Sequence, residues 1–376
     1  MKRWAFVVAV AALFAGTGLD AAEDETLRVY YGTRTASGSQ GIYTGTLNLE
    51  TGTLSDPQLA AEAENPGFLA ISHSGRFLYS VANSKAGNWI VAFAIDRDSG
   101  KLTELNRQEV GGANPCHVSV GPDDRYVVYA NYTGGSCGMM PLADDGSLLP
   151  RSSFFQHSGG SGVNERRQRA PHPHSARTAP GGELVMVPDL GQDKVRIYRV
   201  AADGRSMTPN DSPFATTPPG GGPRHVAFAR DGRSMYVNNE LTSSVTVFDL
   251  NPSTGVTEAK QTISTLPESF DGNNSTAEIL VHPSGRFVYC SNRGHDSIAA
   301  FAIDETTGML TAIGRTSSGG NTPRNFGITP DGRYVIAANQ NSDDVAVLKV
   351  DPETGALSPT GSSIKVPHCI CVRFVE

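Results

Sequence analysis

A turn pattern that returns about every fifty residues constrains this 376-residue chain more than any other feature. At seven places a Ser, Thr or Asp precedes a glycine, and successive glycines are 48, 46, 58, 51, 53 and 47 residues apart. These glycines are Gly52, Gly100, Gly146, Gly204, Gly255, Gly308 and Gly355. Seven copies at this period predict seven copies of one supersecondary unit.

The copy of the repeat at residues 276–315 shows what one unit contains. Three runs rich in Val, Ile, Phe, Tyr or Ala have the pattern of strands, and a weaker fourth run follows the turn. The runs span residues 278–281, 287–291, 297–303 and 310–313, bounded by Gly, Pro, Asn or Asp. Four antiparallel strands in about 40 to 50 residues describe one propeller blade. The sequence therefore predicts an all-β fold, a seven-bladed β-propeller of four-stranded antiparallel blades with almost no helix.

The two ends of the chain each carry part of a blade. A short segment, Asn65–Phe68 in the first complete repeat, marks the first strand of each blade. Its seventh copy begins the first-strand segment at residues 366–374, which is the C-terminus of the chain. Residues 27–54 supply the other strands of a blade but lack this first one. We therefore expect the N-terminal strands to pair with the C-terminal strand, which closes the ring and removes its open edges. Residues 23–376 would then form one propeller domain.

Residues 1–22 have the pattern of a signal peptide. Lys2 and Arg3 form a basic start, residues 4–15 are an apolar run, and small residues continue to Ala22. This pattern predicts cleavage near Ala21 or Ala22 and a periplasmic or secreted protein without membrane association after cleavage. The alternative is an uncleaved membrane anchor. The formal net charge of −7 argues against nucleic-acid binding, for which a basic stripe is expected.

The cysteines do not describe a disulfide framework. There are five of them, an odd number without paired spacing. Cys369 and Cys371 should share one face of the predicted closing strand, because side chains two apart in a strand point the same way. We interpret them as small buried residues rather than metal or redox groups. A bond between Cys116 and Cys137 stays open at this point.

Polar residues are expected around the axis of this propeller. The first strand of each blade lines the central channel, where ordinary strands would carry Val, Ile or Ala. His, Arg and Glu are costly there unless they are solvated, paired or used, so a functional site is predicted at the channel mouth. The predicted ring consists of Gly67, Cys116, His174, Arg224, Glu278, Arg324 and His368, with Phe68, His117, Ser175, His225, Ile279, Asn325 and Cys369 beside them.

The ends of the second strands should reach the same mouth. Most repeats also contain a hairpin of the type P-x-G-R-(F/Y) before the second strand. Counting from its glycine places Asn83, Glu240 and Arg293 at equivalent positions. Other repeats have Asn, Tyr, Leu or Arg where Glu240 stands, so this carboxylate is not part of the blade consensus. It could form a salt bridge with Arg224 or Arg293 or act in catalysis, and the two roles are compatible.

A basic segment at residues 164–177 occupies the longest interval between repeats. It contains Arg166, Arg167, Arg169, His172, His174 and Arg177. Two histidines separated by one residue could bind a metal, but no third ligand lies nearby in the sequence. Because arginine suits carboxylate and phosphate, we predict an anion-binding cluster, with a solvated basic loop as the alternative.

Four motifs of the chain together resemble a known family. They are R-Q-x-x-P-H-x-H-S at residues 167–175, G-P-R-H at 222–225, N-N-E at 238–240 and P-S-G-R-F-V-Y-x-S-N-R-G-H-D-S-I at 283–298. In combination they resemble the seven-bladed propeller lactonase family, which includes propeller-type 6-phosphogluconolactonase and the fungal carboxy-muconate lactonizing enzyme. The resemblance covers about residues 27–375 and implies a lactonase without metal or cofactor. The catalytic constellation proposed for the family maps onto His174, Arg224, Glu240 and Arg293, with His172 as the close alternative for the histidine.

These expectations combine into one hypothesis. The chain would be a 6-phosphogluconolactonase-like hydrolase in which Glu240 or His174 takes a proton from water while arginines hold the anionic substrate and the oxyanion. Its partner would be a small lactone or sugar acid, and the protein would be a monomer or weak homodimer. Further residues expected to bind substrate are His172, Arg167, Arg169, His225, Arg324, His368 and His117.

Other functions stay open beside this hypothesis. The same groups, run in reverse, would suit a lactonizing enzyme of the muconate type. A non-catalytic exported propeller could use the channel for binding alone. A metal-dependent lactonase propeller needs acidic ligands at the axis, and the predicted His- and Arg-rich ring disfavours it.

Overall fold

The computed structural model describes Met1, residues 25–35 and residues 38–375. Apart from Met1, the predicted signal peptide and its cleavage position lie outside the described residues. Across the described ranges the extended elements are β-strands, and none of these residues forms an α-helix, which confirms the predicted all-β class. No helix among them has the length and apolar character needed to cross a membrane.

The strands form seven antiparallel sheets that follow one another along the chain, and each sheet is one blade. Blade 1 begins with β1 (Thr26–Thr33), β2 (Gly41–Asn48), β3 (Thr53–Leu54) and β4 (Gln58–Glu62). Blades 2 to 4 comprise β5 (Leu69–Ile71), β6 (Phe77–Ser84), β7 (Gly87–Ile95), β8 (Leu102–Glu109), β9 (Pro115–Val120), β10 (Tyr126–Asn131), β11 (Ser136–Pro141), β12 (Ser153–Gln156), β13 (Arg177–Thr178), β14 (Leu184–Asp189), β15 (Lys194–Val200) and β16 (Met207–Thr216). Blades 5 to 7 comprise β17 (Pro223–Phe228), β18 (Ser234–Asn239), β19 (Ser244–Leu250), β20 (Thr257–Ser264), β21 (Ser275–Val281), β22 (Phe287–Arg293), β23 (Ser297–Ile303), β24 (Leu310–Ser317), β25 (Pro323–Ile328), β26 (Tyr334–Asn339), β27 (Asp344–Val350) and β28 (Leu357–Lys365). The last strand is β29 (Cys369–Val375).

The ring closes in blade 1, as the sequence predicts. β29 pairs antiparallel with β1, and the sheet continues outward in the order β29-β1-β2-β3, with β4 also paired to β2. In the closing pair, Tyr30 faces Arg373 and Tyr31 faces Val372. Because the two ends of the chain share one sheet, the circle of blades is complete, and no blade is left with an unpaired neighbour.

A repeated tyrosine joins each of several blades to the turn of the next. The Tyr289 hydroxyl donates to the carbonyl of Gly355 at 2.9 Å, and the Tyr236 hydroxyl donates to that of Gly308 at 3.1 Å. Gly308 has a φ of +69°, and a Cβ there would lie 2.2 Å from Ser234 Oγ, so glycine is required at this turn. A tyrosine of the second strand and the turn glycine that marks the repeat in the sequence are therefore hydrogen-bond partners across a blade boundary.

Apolar side chains fill the space between neighbouring sheets. Between blades 5 and 6, Tyr236 and Val247 pack with Ile279 and Phe301, and all four are buried. This packing buries the apolar faces of the blades, whereas the polar ends of the inner strands lie at the axis. The rigid sheets therefore present loops and strand ends in fixed positions around the channel.

The predicted strands of the repeat at residues 276–315 are confirmed, and most extend further than predicted. The five cysteines are free, so Cys116 and Cys137 form no disulfide. Four are buried, in agreement with the interpretation from the sequence, whereas Cys116 is partly exposed at the channel.

Candidate active site

One mouth of the central channel holds a cavity of about 540 Å³, which we call the front cavity. This volume suits a small-molecule ligand. Much of the polar wall comes from the ends of first and second strands, where the sequence predicts the site. These wall residues include Arg34, Asn83, Cys116, His174, Arg224 and Arg324.

Two positions in the predicted ring are shifted in the structure. Glu278 lies level with His225 and Asn325, since His225 Nδ1 is 2.8 Å from Glu278 Oε1 and Asn325 Nδ2 donates to Oε2. In the last strand Ile370 lines the front cavity and His368 does not, so we no longer expect His368 to contact a substrate there. In β21 Thr276 pairs with Asn292, and in β29 Cys369 pairs with Thr33, as Pro223 pairs with Asn239 in β17. The residues equivalent to Arg224 are therefore Ala277 and Ile370, one residue before and two residues after the predicted positions.

Turn carboxylates of one blade hold the first strand of the next. Asp193 Oδ1 accepts the backbone N–H of Gly222 at 2.9 Å, two residues before Arg224. Asp296 Oδ1 accepts that of Thr322 at 2.8 Å, two residues before Arg324. Both aspartates have positive φ, 54° and 53°, a conformation that Asp tolerates well in tight turns. Contacts outside the cavity therefore fix where these two arginines enter it.

The carboxylate of Glu240 is the centre of an ionic cluster behind the cavity wall. Its Oε1 accepts from Arg167 Nη2 at 2.8 Å, and its Oε2 lies 3.1 Å from both Arg224 Nε and Arg293 Nη2. Glu240 is only 4 % exposed. The predicted salt bridge to Arg224 or Arg293 is confirmed with both arginines, and Arg167 is a third partner.

The surrounding charges keep Glu240 ionised. Burial by itself would raise the pKa of Glu240, but Arg293 and Arg224, followed by His174 and Arg167, hold it well below its usual value. Burial and the neighbouring Arg293 lower the pKa of Arg224 to about 10. A carboxylate with so low a pKa is a weak base, and Glu240 is suited to act as a fixed negative charge that holds three guanidiniums.

His174 is the imidazole closest to this carboxylate. Its Nε2 lies 4.0 Å from Glu240 Oε2, too far for a hydrogen bond, and its Nδ1 lies 3.9 Å from Cys116 Sγ. Burial, followed by the charge of Arg224, lowers the pKa of His174 well below its usual value. The imidazole is therefore neutral at pH 7 and able to accept a proton.

Tyr132 connects the histidines to the arginine cluster. Its ring stacks on His172 with centroids 4.6 Å apart and meets His174 edge-on at 5.2 Å. Its hydroxyl accepts from Arg167 Nη2 at 2.9 Å, and its carbonyl lies 3.0 Å from His172 Nδ1. His172 packs against Tyr132 and does not line the front cavity, so the structure favours His174 as the histidine of the site.

Two further histidines of the predicted site lie at different depths. His225 lines the front cavity, and its Nε2 accepts from Arg224 Nη1 at 3.1 Å. A neutral His225 therefore carries its proton on Nδ1, where it donates to Glu278. His117 does not line this cavity and lies deeper in the channel.

Two guanidiniums of the front cavity have no carboxylate partner among the described residues. Arg324 is partly buried in the wall, and burial, followed by the charge of Arg224, pulls its pKa well below its usual value. Arg34 is exposed at the same cavity. Unpaired positive charge beside a cavity indicates an anionic ligand.

The basic segment at residues 164–177 is divided among three places. Arg167 binds Glu240, whereas the Arg169 side chain is 78 % exposed and 3.8 Å from a neighbouring glutamate. Arg177 lies further along the channel, in the wall of another cavity. The prediction of one anion-binding cluster is therefore wrong, and so is the placement of Arg169 in the site, because the loop and the following strand carry these side chains in different directions.

Sequence reasoning missed Arg34 and Tyr132. Each occupies in its own blade the position that Glu240 has in blade 5. At this position the backbone N–H donates to a carbonyl of the segment before the inner strand, at 3.2 Å for Arg34, 3.0 Å for Tyr132 and 2.7 Å for Glu240. The repeat count could have found Tyr132, because its blade has the hairpin that sets the count. It could not find Arg34, since blade 1 has no such hairpin before β1.

A match to the serine-hydrolase pattern G-x-S-x-G, at residues 134–138, lies outside the site. Ser136 is buried in β11 and accepts a hydrogen bond from Asn131 Nδ2 at 3.0 Å. It sits within a sheet rather than on an exposed strand-to-helix turn, so this match gives no nucleophile.

Comparison with known proteins points to one family. The family model described as Lactonase, 7-bladed beta-propeller, matches residues 28–374. A protein named 6-phosphogluconolactonase from Bacillus subtilis (strain 168) is 39 % identical over 288 residues, which are 77 % of this chain and 81 % of that protein. A protein of the same name from Formosa agariphila is 32 % identical over 73 % of this chain and 78 % of its own length.

Solved structures agree with this match. The structure described as the periplasmic gluconolactonase of Pseudomonas aeruginosa superposes with a TM-score of 0.88 at 33 % identity. The alignment covers 94 % of this chain and 99 % of that one. The match in sequence and fold thus extends around the whole propeller, and the chain belongs to the seven-bladed β-propeller lactonase family.

Proposed function

We propose that this protein is a 6-phosphogluconolactonase-like enzyme that hydrolyses an anionic sugar lactone, with 6-phospho-D-glucono-1,5-lactone as the first candidate. The observation that carries the proposal is the convergence of His174, Arg224 and Arg324 on one cavity of about 540 Å³. The names of the relatives support a lactone as substrate. The unpaired guanidiniums support a negatively charged group on that lactone.

His174 is the general base of the proposed reaction. Of the two candidates from the sequence, Glu240 lies behind the cavity wall with both carboxylate oxygens engaged by arginines, whereas His174 is neutral and lines the cavity. A water molecule held between His174 and the lactone carbonyl would lose its proton to the imidazole as its oxygen attacks. Glu240, 4.0 Å away, would then stabilise the imidazolium that forms.

Arg224 stabilises the oxyanion. Its Nε is bound to Glu240 and its Nη1 contacts His225 and the Ala277 carbonyl, which leaves Nη2 to donate to the developing oxyanion. Arg293 donates to the Thr276 carbonyl at 2.9 Å, forms an ion pair with Glu240 and does not line the cavity. Arg293 therefore acts as a positioning residue that fixes Glu240, and Arg167 does the same from the other oxygen.

The second half of the reaction opens the ring. The tetrahedral intermediate collapses, the bond between the carbonyl carbon and the ring oxygen breaks, and the proton on His174 passes to the leaving alkoxide. The product is a hydroxy acid, which ionises at neutral pH and releases one proton per turnover. A cycloisomerase of the muconate type instead adds a carboxylate to a carbon–carbon double bond, which is not the reverse of this hydrolysis, so an assay of lactone hydrolysis separates the two.

Three further features belong to the proposal. Export rests on the signal-peptide pattern of residues 1–22 and on the structural neighbour described as periplasmic. Metal independence rests on the three guanidiniums that surround Glu240, because they would repel a divalent cation from that carboxylate. The expected state is a monomer or weak homodimer.

Lactone hydrolysis by the mature protein, from residue 23, tests the proposal directly. We expect turnover of glucono-1,5-lactone 6-phosphate above its spontaneous rate, a lower rate with glucono-1,5-lactone, and no change on addition of EDTA. Proton release in a weakly buffered indicator solution measures all three. Loss of activity with EDTA would contradict metal independence. No hydrolysis of either lactone would favour the lactonizing direction or a non-catalytic binding propeller.

Arg324 tests the anionic part of the substrate. Arg324→Gln should raise the KM for the phosphorylated lactone by about tenfold or more and leave kcat nearly unchanged, because a charge-assisted contact to the phosphate is lost. The unphosphorylated lactone should show no such change. Arg205→Gln, which removes an exposed arginine on a distant turn, is the matched control. Equal effects on both lactones would show that Arg324 does not recognise the phosphate.

A further inference from the structure

The channel is divided in its middle by three rings. Phe68 and His117 have centroids 4.1 Å apart, and His225 lies 5.3 Å from His117 and 5.8 Å from Phe68. All three are at least 95 % buried, with exposures of 5 %, 0 % and 1 %. His225 faces the front cavity and His117 faces the other side, so the rings separate two chambers.

The second chamber, which we call the back cavity, has a volume of about 320 Å³. It lies toward the opposite mouth, because β9 and β29 line the front cavity with their first residues and the back cavity with later ones. In β9, for example, Cys116 lines the front cavity and Ser119 the back cavity. Its polar wall includes Arg177 and Arg373, and no aspartate or glutamate of the described chain lines it.

Arg177 has no direct polar partner in this wall, although the charge of Glu278 acts on it from a distance. It is partly buried, and neither a hydrogen bond nor a salt bridge joins its guanidinium to another described residue. Burial lowers the pKa of Arg177, and the charge of Arg373 acts in the same direction. A partly buried guanidinium without a directly bound counterion favours an anion at this position.

Arg373 is fixed beside Arg177 by contacts that leave part of its guanidinium free. Its Nε donates to the Leu69 carbonyl at 3.0 Å, its Nη1 donates to the Val372 carbonyl at 2.6 Å, and its Cζ lies 4.6 Å from the Phe68 ring centroid. Within the described residues, Nη2 has no partner. This arginine is therefore positioned in advance and keeps one donor available to a ligand.

The nearest buried carboxylate is already occupied. Glu278 contributes to the electrostatics of Arg177, but its Oε1 receives His225 Nδ1 at 2.8 Å and the Ile279 backbone N–H at 3.1 Å, and Asn325 holds its Oε2. At the rim, Asp124 is paired with His73 at 3.1 Å. Neither acid therefore neutralises the two arginines of the back cavity directly.

His117 provides a third, independent indication of a ligand. It is fully buried, its Nδ1 accepts from the Ala176 backbone N–H at 3.4 Å, and its Nε2 has no hydrogen-bond partner in the described chain. With Nδ1 as acceptor, the neutral ring carries its proton on Nε2, which is then a donor without a partner among the described residues. Buried polar atoms without partners are rare and call for a bound group.

We infer that the back cavity is a second anion site, separate from the catalytic one, in which Arg177, Arg373 and the Nε2–H of His117 bind a small oxyanion such as a phosphate or a short carboxylate. The volume admits a ligand of a few heavy atoms. The ring layer keeps this anion away from His174 and Arg224, so it takes no part in lactone hydrolysis.

Calorimetric titration of inorganic phosphate tests this site. The mature protein carrying Arg34→Gln and Arg324→Gln loses the unpaired charges of the front cavity and should still bind phosphate. Adding Arg177→Gln should weaken that binding by about tenfold or more, because a charge-assisted contact is removed. Absence of phosphate binding in the double variant, or unchanged binding after Arg177→Gln, would overturn the inference.

Two controls separate the site from the fold and from catalysis. Arg177→Lys keeps the positive charge and should retain most of the phosphate affinity. If the loss in Arg177→Gln came from a disrupted fold instead, Arg177→Lys would lose the affinity as well. Arg205→Gln in the same background removes one exposed positive charge elsewhere and should leave the titration unchanged. Arg177→Gln alone should keep full lactone turnover, and loss of turnover in this folded variant would contradict the separation of the two chambers.

Discussion

Glu240→Gln should lower kcat/KM for lactone hydrolysis by about a thousandfold or more. The amide is nearly isosteric but carries no charge, so Arg167, Arg224 and Arg293 lose the anion that holds them together. Arg224 would then leave the position from which it meets the oxyanion, and the imidazolium of His174 would lose its counterion. Steady-state rates measured by proton release give this number.

The same substitution should also reduce the free energy of unfolding. Breaking a buried ion pair by removing one partner costs about 3 to 5 kcal/mol, so circular dichroism must confirm that the variant is folded at the assay temperature. Glu258→Gln is the matched control, because the Glu258 side chain is 74 % exposed on an outer strand and should tolerate the change in both assays. Full activity in folded Glu240→Gln would remove Glu240 from the site.

His174→Gln should lower kcat/KM by about 10² to 10⁴, the usual contribution of a positioned general base. The pH dependence is the more specific readout. The neutral imidazole is the active form, and its pKa lies below the usual value of about 6.5, so the unaltered protein should keep its rate at pH 6.5 and lose it only at lower pH. Burial is the main cause of the lowered pKa of His174, the charges of Arg224, His225 and Arg324 add to it, and Glu240 opposes it. The acid limb should disappear in the variant.

Cys116→Ser separates this mechanism from a covalent one. Cys116 Sγ lies 3.9 Å from His174 Nδ1, so a thiol nucleophile is the competing explanation for a loss of activity in His174→Gln. Burial raises the pKa of Cys116 to about 12, which leaves almost no thiolate at neutral pH. We therefore expect Cys116→Ser to retain most of its activity. A loss as large as that of His174→Gln would instead indicate a thioester intermediate.

The fold could be predicted from the sequence because its signals are local and repeated. The turn glycines, the hairpins and the short apolar runs each depend on a few neighbouring residues, and seven copies make the count robust. The closure of the ring followed from the same count, since residues 27–54 and 366–374 each lacked what the other had. The pairing of β29 with β1 confirms it.

The site could be predicted only in part. His174, Arg224 and Arg324 were placed correctly at the channel mouth, because each follows the start of an inner strand at the same offset. Glu278 and His368 are shifted by one and two residues from the level of Arg224, because their segments enter the inner strand at a different offset. Along a strand such a shift moves a side chain to another level or to the opposite face, and the residue types alone do not indicate the shift.

The sequence alone therefore determined the architecture, the family and the residue types gathered at one mouth of the channel. Tertiary structure decided the role of each residue. Glu240 forms ion pairs with three arginines and His174 stays neutral, whereas Arg324 and Arg177 lie in two different chambers without a carboxylate partner. The physical reason is that local patterns specify strands and turns, whereas a charge acquires its role from partners brought within 3 to 4 Å of it by blades far apart in the chain.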